Sequence, residues 1–269
     1  MAAADGLRAA GRRDRWFGFG GALLAMLSLS ACHGDDAGAP LHVEISHVVG
    51  AQPLQLGAPL SLSNGEQLSV DKLRYYLSNF RLRKHDGSWS AAACSDKDAR
   101  NYFLVDEAQG SSKIFDVSGF SSGDYEGIEF LVGVDAARNA AGAQTGALDP
   151  AHGMFWTWNT GYIFFKLEGH SPQSSASGNG VSYHIGGSRD TANNLRTIYL
   201  PLGSKPLKLT PELISTVHLH ADIGALFQPP STLKIAEHAS IMDPAGGKLV
   251  ADQYAQAFRV DHVHHEPRH

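Results

Sequence analysis

The sequence predicts an all-β protein, an antiparallel β-sandwich with a long functional loop and short helical segments near the C-terminus. Short runs of alternating apolar and polar residues recur along the chain, separated by Gly, Pro, Asn and Asp. Helical spacing of apolar residues is almost absent before residue 231. With 269 residues, the chain can bury a full core without disulfides.

The first strand is predicted at Leu41–Val49. Alternation places Leu41, Val43 and Ile45 on one face together with His47. Further strands, each bounded by turn-forming residues, are predicted at Leu73–Leu77, Phe80–Arg83, Asn101–Val105, Lys113–Val117, Glu126–Val134, Tyr162–Glu168, Val181–Ile185, Leu195–Leu200 and Ser215–Ile223.

The remaining segments are a long loop, two helical stretches and a polar tail. Residues 136–153 form the loop, and long loops in compact domains tend to be functional. Helical spacing occurs at Ser231–Met242 and Leu249–Phe258, although neither stretch is strongly amphipathic. The His-rich residues 262–269 are expected to form a disordered tail that binds metal only loosely.

Residues 1–31 have the parts of a bacterial lipoprotein signal peptide. The basic n-region contains Arg8, Arg12, Arg13 and Arg15. The apolar stretch that follows is too short and Gly-rich for a stable membrane span, and it ends in Leu29-Ser30-Ala31-Cys32, which resembles a lipobox. We expect cleavage before Cys32 and attachment of lipid to its thiol.

This processing sets the expected organisation of the chain. Residues 1–31 are the signal, residues 32–40 a tether, and residues 41–269 one domain. His33 after the lipidated cysteine favours the outer membrane, so the protein is expected in the periplasm on a lipid anchor.

The second cysteine leaves two alternatives open. If Cys32 is lipidated, Cys94 is a lone thiol in an oxidising compartment. If the signal is an ordinary cleaved one, a Cys32–Cys94 disulfide becomes available.

Charge and composition point away from nucleic acid and toward metal. The net charge is −5, no basic stripe occurs, and nucleic acid is therefore not an expected partner. The chain also contains 14 histidines, a high number. Imidazole is a common ligand for copper and zinc.

The segment from Gly153 to Tyr162 contains two tryptophans, Trp156 and Trp158, two positions apart. In an extended chain their side chains and that of Met154 share one face. An indole nitrogen only donates hydrogen bonds, but opening of the five-membered ring leaves an aryl amine that can bind metal. The alternatives are core packing and a sugar-stacking surface.

The block GMFWTWNTGYIFFKLEG, residues 153–169, resembles the signature of the MbnP family of periplasmic copper-binding proteins. Further similar stretches are HVVG at 47–50, YYLSNFRL at 75–82, FLVGVD at 130–135, GALDP at 146–150 and YHIGG at 183–187. The resemblance implies a β-sandwich that binds copper after a Trp is oxidised to kynurenine. It also implies a partner, a di-haem peroxidase of the MbnH/MauG type, and a role in copper acquisition or handling.

Four residues are the main candidates for the copper site: His47, His184, Trp156 and Trp158, with either Trp as the kynurenine precursor. His47 lies in a family-like segment, where the alternative is a hydrogen-bonded core histidine. His184 lies in YHIGG, where the alternative is an exposed strand histidine.

Weaker metal candidates are His218, His220 and Met154. His218 and His220 share a strand face with Asp222, and two histidines two apart can chelate a metal. The opposite face is apolar, so these polar residues can equally form the solvated side of a half-buried strand.

The sequence predicts a protein that is not an enzyme. It lacks G-x-S-x-G, H-E-x-x-H, P-loop and C-x-x-C-H motifs, so the chain is expected to be the substrate of the haem partner. The alternatives are a lipoprotein that binds a carbohydrate or a hydrophobic ligand without metal, and a structural or assembly lipoprotein that binds no ligand.

Overall fold

The computed structural model describes residues 40–92, 101–156, 161–189 and 192–269, and this part is mostly β, as expected. The strands are β1 (Leu41–Val49), β2 (Gln52–Pro53), β3 (Pro59–Ser61), β4 (Gln67–Lys84), β5 (Trp89–Ala91), β6 (Phe103–Asp106), β7 (Ile114–Val117), β8 (Gly123–Val132), β9 (Phe155–Trp156), β10 (Gly161–His170), β11 (Gly180–Gly186), β12 (Ser188–Arg189), β13 (Ala192–Asn193), β14 (Arg196–Pro201), β15 (Leu207–Leu209), β16 (Leu213–Asp222), β17 (Ser240–Ile241) and β18 (Phe258–Pro267).

Two α-helices occur among the described residues, α1 (Ala136–Ala140) and α2 (Lys248–Ala257). Neither of them is long and apolar enough to cross a membrane. Short 3-10 turns lie at Gly110–Lys113, Gly146–Leu148, Pro150–His152, Ser177–Asn179 and Ile223–Phe227.

The strands form two main sheets. In the smaller sheet β18, β16, β1 and β2 lie side by side, and β7 also pairs with β1. The larger sheet has the order β14-β8-β4-β10-β11-β17, with shorter strands at its margins. β1 runs parallel to β16, and β11 runs parallel to β17. The prediction of a purely antiparallel architecture is wrong at these pairs, because side-chain alternation does not encode the direction of a partner strand.

The main hydrophobic core takes side chains from both sheets, for example Leu41 of β1 and Tyr75 of β4. A second cluster, here called the outer cluster, lies on the other face of the larger sheet. Successive strand residues point to opposite faces, so Tyr75 enters the main core while Tyr76 enters the outer cluster. The outer cluster consists of Tyr76, Val134, Leu148, Met154, Trp156, Tyr162, Ile163 and Phe164.

A bulge in β10 supplies the outer cluster with three successive side chains. The pairing of β10 with β11 shifts between Ile163 and Phe165. Tyr162, Ile163 and Phe164 all belong to the outer cluster, whereas Phe165 returns to the main core. An extra residue at a bulge is what allows this interruption of strict alternation.

The predicted strands are found within a few residues of their expected bounds, and β1 matches its prediction fully. Leu73–Leu77 and Phe80–Arg83, however, belong to one long strand, β4. The chain bulges between Ser78 and Arg81, where Asn79 has a φ of 53°. Asn tolerates this left-handed conformation, and the strand continues past it.

The C-terminal predictions have mixed outcomes. The helix expected at Leu249–Phe258 is confirmed as α2, whereas residues 231–242 are irregular apart from β17. The backbone N–H groups of Ile235 and Ala236 donate to the buried carboxylate of Glu66, both at 2.9 Å, instead of to helical carbonyls. This tertiary contact outweighs the weak helical spacing.

The expectation of a disordered C-terminal tail is wrong. Residues 258–267 form β18, which pairs antiparallel with β16. Val263 is buried in the main core, and its register partner is Val217 of β16.

Candidate functional site

Trp156 lies in the outer cluster, next to Met154. It ends β9, which pairs with the start of β10, so that Trp156 lies opposite Gly161. Trp156 is 5% exposed and Met154 is fully buried, and the structure therefore brings these two candidates together. Trp158, Cys32 and Cys94 lie outside the described residues.

Gly186 makes room for the indole. A Cβ on Gly186 would lie 2.7 Å from the Cζ3 atom of Trp156 and 2.5 Å from the carbonyl oxygen of Tyr162. Any side chain here would collide with the ring or the backbone, which explains a glycine at this position of YHIGG. The Trp156 ring therefore lies against this face of β11.

His184 lies on the same face of β11 as the indole. Side chains alternate, so His184 shares a face with the position that a Gly186 side chain would take. His184 and Gly186 are two positions apart, which corresponds to about 7 Å along the strand. Lys166, the register partner of His184 on β10, donates from Nζ to the carbonyl oxygen of Gly153 at 2.8 Å, directly before Met154.

The indole also borders a cavity of about 400 Å³. Asn139 of α1, Ser188 and Arg189 of β12, and Pro244 line the same cavity. The predicted functional loop thus contributes α1 to the surroundings of Trp156.

The imidazole of His184 is oriented by a carboxylate. Its Nε2 lies 2.8 Å from Oε1 of Glu168, whose other oxygen accepts from Lys72 at 2.7 Å. Among the described residues, Nδ1 of His184 has no hydrogen-bond partner. A histidine that donates one ring N–H to a carboxylate and keeps the other nitrogen free has the usual arrangement of a metal ligand.

Protonation states around His184 suit metal binding. Burial and the nearby Lys166 ammonium lower the pKa of His184, so the imidazole is neutral near pH 7. Burial alone would raise the pKa of Glu168, but hydrogen bonds from Lys72 and His184 outweigh it and lower that pKa to about 2. A neutral imidazole is the form that binds metal.

His47 lies elsewhere and both of its ring nitrogens are engaged. Its side chain is fully buried, with Nδ1 2.6 Å from Oε2 of Glu107 and Nε2 2.7 Å from the hydroxyl of Tyr75. Burial raises the pKa of Tyr75, so its O–H stays protonated and donates to Nε2 while Nδ1–H donates to Glu107. Lys113 also donates to Glu107, at 2.9 Å.

The larger sheet separates His47 from the Trp156 face. Tyr75 belongs to the main core and stacks on Phe165, whereas Trp156 and His184 lie on the opposite face of the sheet. The structure therefore groups Trp156 with Met154 in the outer cluster and places His184 on the same face of the larger sheet, whereas His47 lies on the opposite face.

Tyr162 and Tyr76 adjoin Trp156 within the outer cluster. Their rings meet edge to face, with centroids 5.8 Å apart. Tyr162 donates its hydroxyl to the carbonyl oxygen of Leu148 at 2.8 Å. Tyr102 packs against this cluster, is half-buried, and hydrogen-bonds to Asp135.

His218 takes part in a histidine cluster that sequence reasoning missed. One ligand atom from each of His218, His262 and His264 lies within 4.8 Å of the others. His220 points to Arg259, with Nδ1 3.0 Å from the guanidinium, and is not part of this cluster. The pattern His-Val-His at 262–264 was a usable signal, but only the register of β18 on β16 shows that it faces His218.

One of the comparisons with known proteins shows the family to which this chain belongs. A solved structure, MbnP from Methylosinus trichosporium, is similar with 16% identity over 67% of this chain and 76% of that chain, at a TM-score of 0.44. A search of curated proteins found no match. The family model of MbnP matches residues 38–243. Because that match spans most of the sequence, this chain belongs to the MbnP family.

Proposed function

We propose that this protein is a periplasmic, lipid-anchored copper-binding protein whose copper site forms when a tryptophan is oxidised to kynurenine. It serves copper acquisition or handling. The observation that carries the proposal is the common face shared by Trp156 and His184, built around Gly186. Membership of the MbnP family supports the choice of copper.

Trp156 is the favoured precursor, and Trp158 is the second candidate. The oxidising partner is a di-haem peroxidase of the MbnH/MauG type, with peroxide as the oxidant. Oxidation opens the indole ring. Hydrolysis by water then releases one carbon of that ring as formate and leaves an aryl amine with an available lone pair. The cavity of about 400 Å³ beside Trp156 gives the opened side chain room to turn.

The proposed ligand set is the kynurenine amine, Nδ1 of His184 and the thioether of Met154. Imidazole suits both oxidation states of copper, and the softer thioether favours the reduced ion. Glu168 holds the His184 ring through Nε2. His47 is left out of this set because the larger sheet lies between it and the indole.

Electron removal from a buried tryptophan requires a route to the surface. Trp156 is 5% exposed, so very little of the indole is accessible for direct contact with a partner protein. Tyr162, Tyr76 and the half-buried Tyr102 are oxidisable rings in or against the same cluster. We assign them as stepping stones toward the partner.

The test is co-expression with the di-haem peroxidase, followed by peptide mass spectrometry and copper analysis. The Trp156 peptide should gain the mass of one oxygen and lose that of one carbon, and purified protein should retain copper. Trp156→Phe should abolish both changes, whereas Trp158→Phe should leave them if Trp156 is the precursor.

Point variants test the assignment of His184 as a copper ligand. His184→Gln should lose copper without loss of kynurenine, because it removes a ligand after the oxidised residue has formed. His85→Gln is the matched control, since His85 is exposed in the turn that follows β4. Intact tryptophans in the presence of active partner and peroxide would contradict the proposal.

Sugar binding, the main alternative, receives no support from Trp156. Stacking on a sugar requires an exposed ring face. The indole of Trp156 is 5% exposed and packed among apolar side chains.

A further inference from the structure

We infer that His218, His262 and His264, here called the histidine triad, form a separate metal site for a divalent ion of the Zn²⁺ or Cu²⁺ class. The triad lies on the face of the smaller sheet that is turned away from the main core. His262 and His264 lie beyond residue 243, where the match to the family ends. The inference does not depend on oxidation of a tryptophan.

The register of the paired strands places the residues of the triad next to one another. Glu44 of β1, His218 of β16 and His262 of β18 are register partners across three neighbouring strands. His264 follows His262 by two positions and therefore shares its face. The paired backbones of β16 and β18 thus hold the imidazoles side by side, and β1 places Glu44 next to His218.

The distances suit one ion. Two imidazole nitrogens that bind the same tetrahedral Zn²⁺ lie about 3.3 Å apart, because each Zn–N bond is about 2.0 Å. Nε2 of His218 lies 3.1 Å from Nδ1 of His264, and the rings of His218 and His262 stack with centroids 4.0 Å apart. All three ligand atoms lie within 4.8 Å, so a small rotation of the more exposed His262 closes the site.

A carboxylate lies near one ring nitrogen of each imidazole in the triad. Nδ1 of His218 lies 3.4 Å from Glu44, Nδ1 of His262 lies 2.8 Å from Asp261, and Nε2 of His264 lies 3.7 Å from Glu266. These contacts favour a proton on the ring nitrogen that faces each carboxylate. The other nitrogens, Nε2 of His218, Nε2 of His262 and Nδ1 of His264, then each have a lone pair that can bind a metal. Carboxylates that orient ligating histidines in this way also raise their basicity.

The charges around the triad favour a bound cation. Three cationic rings in stacking contact would repel one another, whereas a divalent ion would be attracted by Glu44, Asp261 and Glu266.

The site is open to solvent. The side chain of His218 is 19% exposed, and those of His262 and His264 are 52% and 39% exposed. Three histidines with an open fourth position can exchange their ion with solution, unlike a closed four-ligand site. We therefore assign the triad to an exchangeable ion rather than to a permanent structural one.

The test is a calorimetric titration of the mature, unmodified protein, with tryptophans intact, using Zn²⁺ alone and Cu²⁺ alone. One ion per chain should bind, and His262→Gln or His264→Gln should weaken binding by about tenfold or more. His220→Gln is the matched control, because His220 lies two positions from His218 on the same strand face and should leave binding unchanged. Circular dichroism checks that each variant is folded.

The outcomes separate this site from the kynurenine site. Binding of either ion that is lost in the triad variants supports the inference and identifies the ion. Absence of binding in the wild type, or equal affinity in the triad variants and His220→Gln, would overturn it. Because the titrated protein contains no kynurenine, neither result bears on the proposed copper site at Trp156.

Discussion

Replacing Gly186 with alanine tests the close approach of β11 to the indole of Trp156. The added Cβ would lie 2.5 Å from the carbonyl oxygen of Tyr162 and 2.7 Å from the Trp156 ring, so backbone and ring must both move. Overpacking of this kind costs about 1–3 kcal/mol, and the lower flexibility of alanine in the unfolded chain offsets about 0.4–1 kcal/mol of it. We expect a net loss of about 1–2 kcal/mol in the free energy of unfolding.

The matched control for this prediction is Gly180→Ala at the start of the same strand. A Cβ on Gly180 would meet its nearest neighbour, the carbonyl oxygen of Ser177, at 3.4 Å, an ordinary contact. Urea unfolding followed by circular dichroism measures both variants, and Trp fluorescence reports movement of the indole. If Gly186→Ala is no less stable than Gly180→Ala, the packing assigned to Trp156 is wrong.

Three further predictions concern other parts of the chain. His47→Ala leaves the buried Tyr75 hydroxyl without its partner and Glu107 with only Lys113, so the free energy of unfolding should fall by about 1–3 kcal/mol while the copper content of folded, modified protein stays unchanged. The pKa of Glu168 is lowered from 4.5 to about 2, so its stabilising effect is present above about pH 5 and is lost as pH falls toward 2. Urea unfolding across this range should show the wild type converging with Glu168→Gln, and parallel curves would refute the ion-pair assignment. Cys32→Ser should release the protein from the membrane fraction of its host, and a wild type already soluble with an unmodified Cys32 would contradict the anchor.

Local patterns in the sequence were enough to predict most strands. The alternation of Leu41, Val43 and Ile45 defines β1 because one face is buried throughout. The same reasoning failed where local signals were ambiguous. Asn79 interrupts the alternation of β4 and suggested a strand end, yet the strand passes through it as a bulge.

The composition of the sites depended on contacts that a sequence does not contain. Alternation alone put His47 on a buried face, but only the three-dimensional pairing shows that Tyr75 and Glu107 occupy both ring nitrogens. The histidine triad depends on the register between β16 and β18, which lie about 45 residues apart in the chain. This register depends on which side chains of both strands are buried together, so it cannot be predicted from the sequence of either strand alone.

The bulge in β10 makes the surroundings of Trp156 sensitive to chain length more than to residue identity. One residue deleted or inserted between Ile163 and Phe165 would reverse the faces of all residues that follow on this strand. Lys166 and Glu168 would then turn into the main core, and Leu167 would take their place beside His184. Substitutions during evolution can therefore reshape the indole cavity one side chain at a time, whereas a change of length by a single residue disrupts the core and the candidate site together.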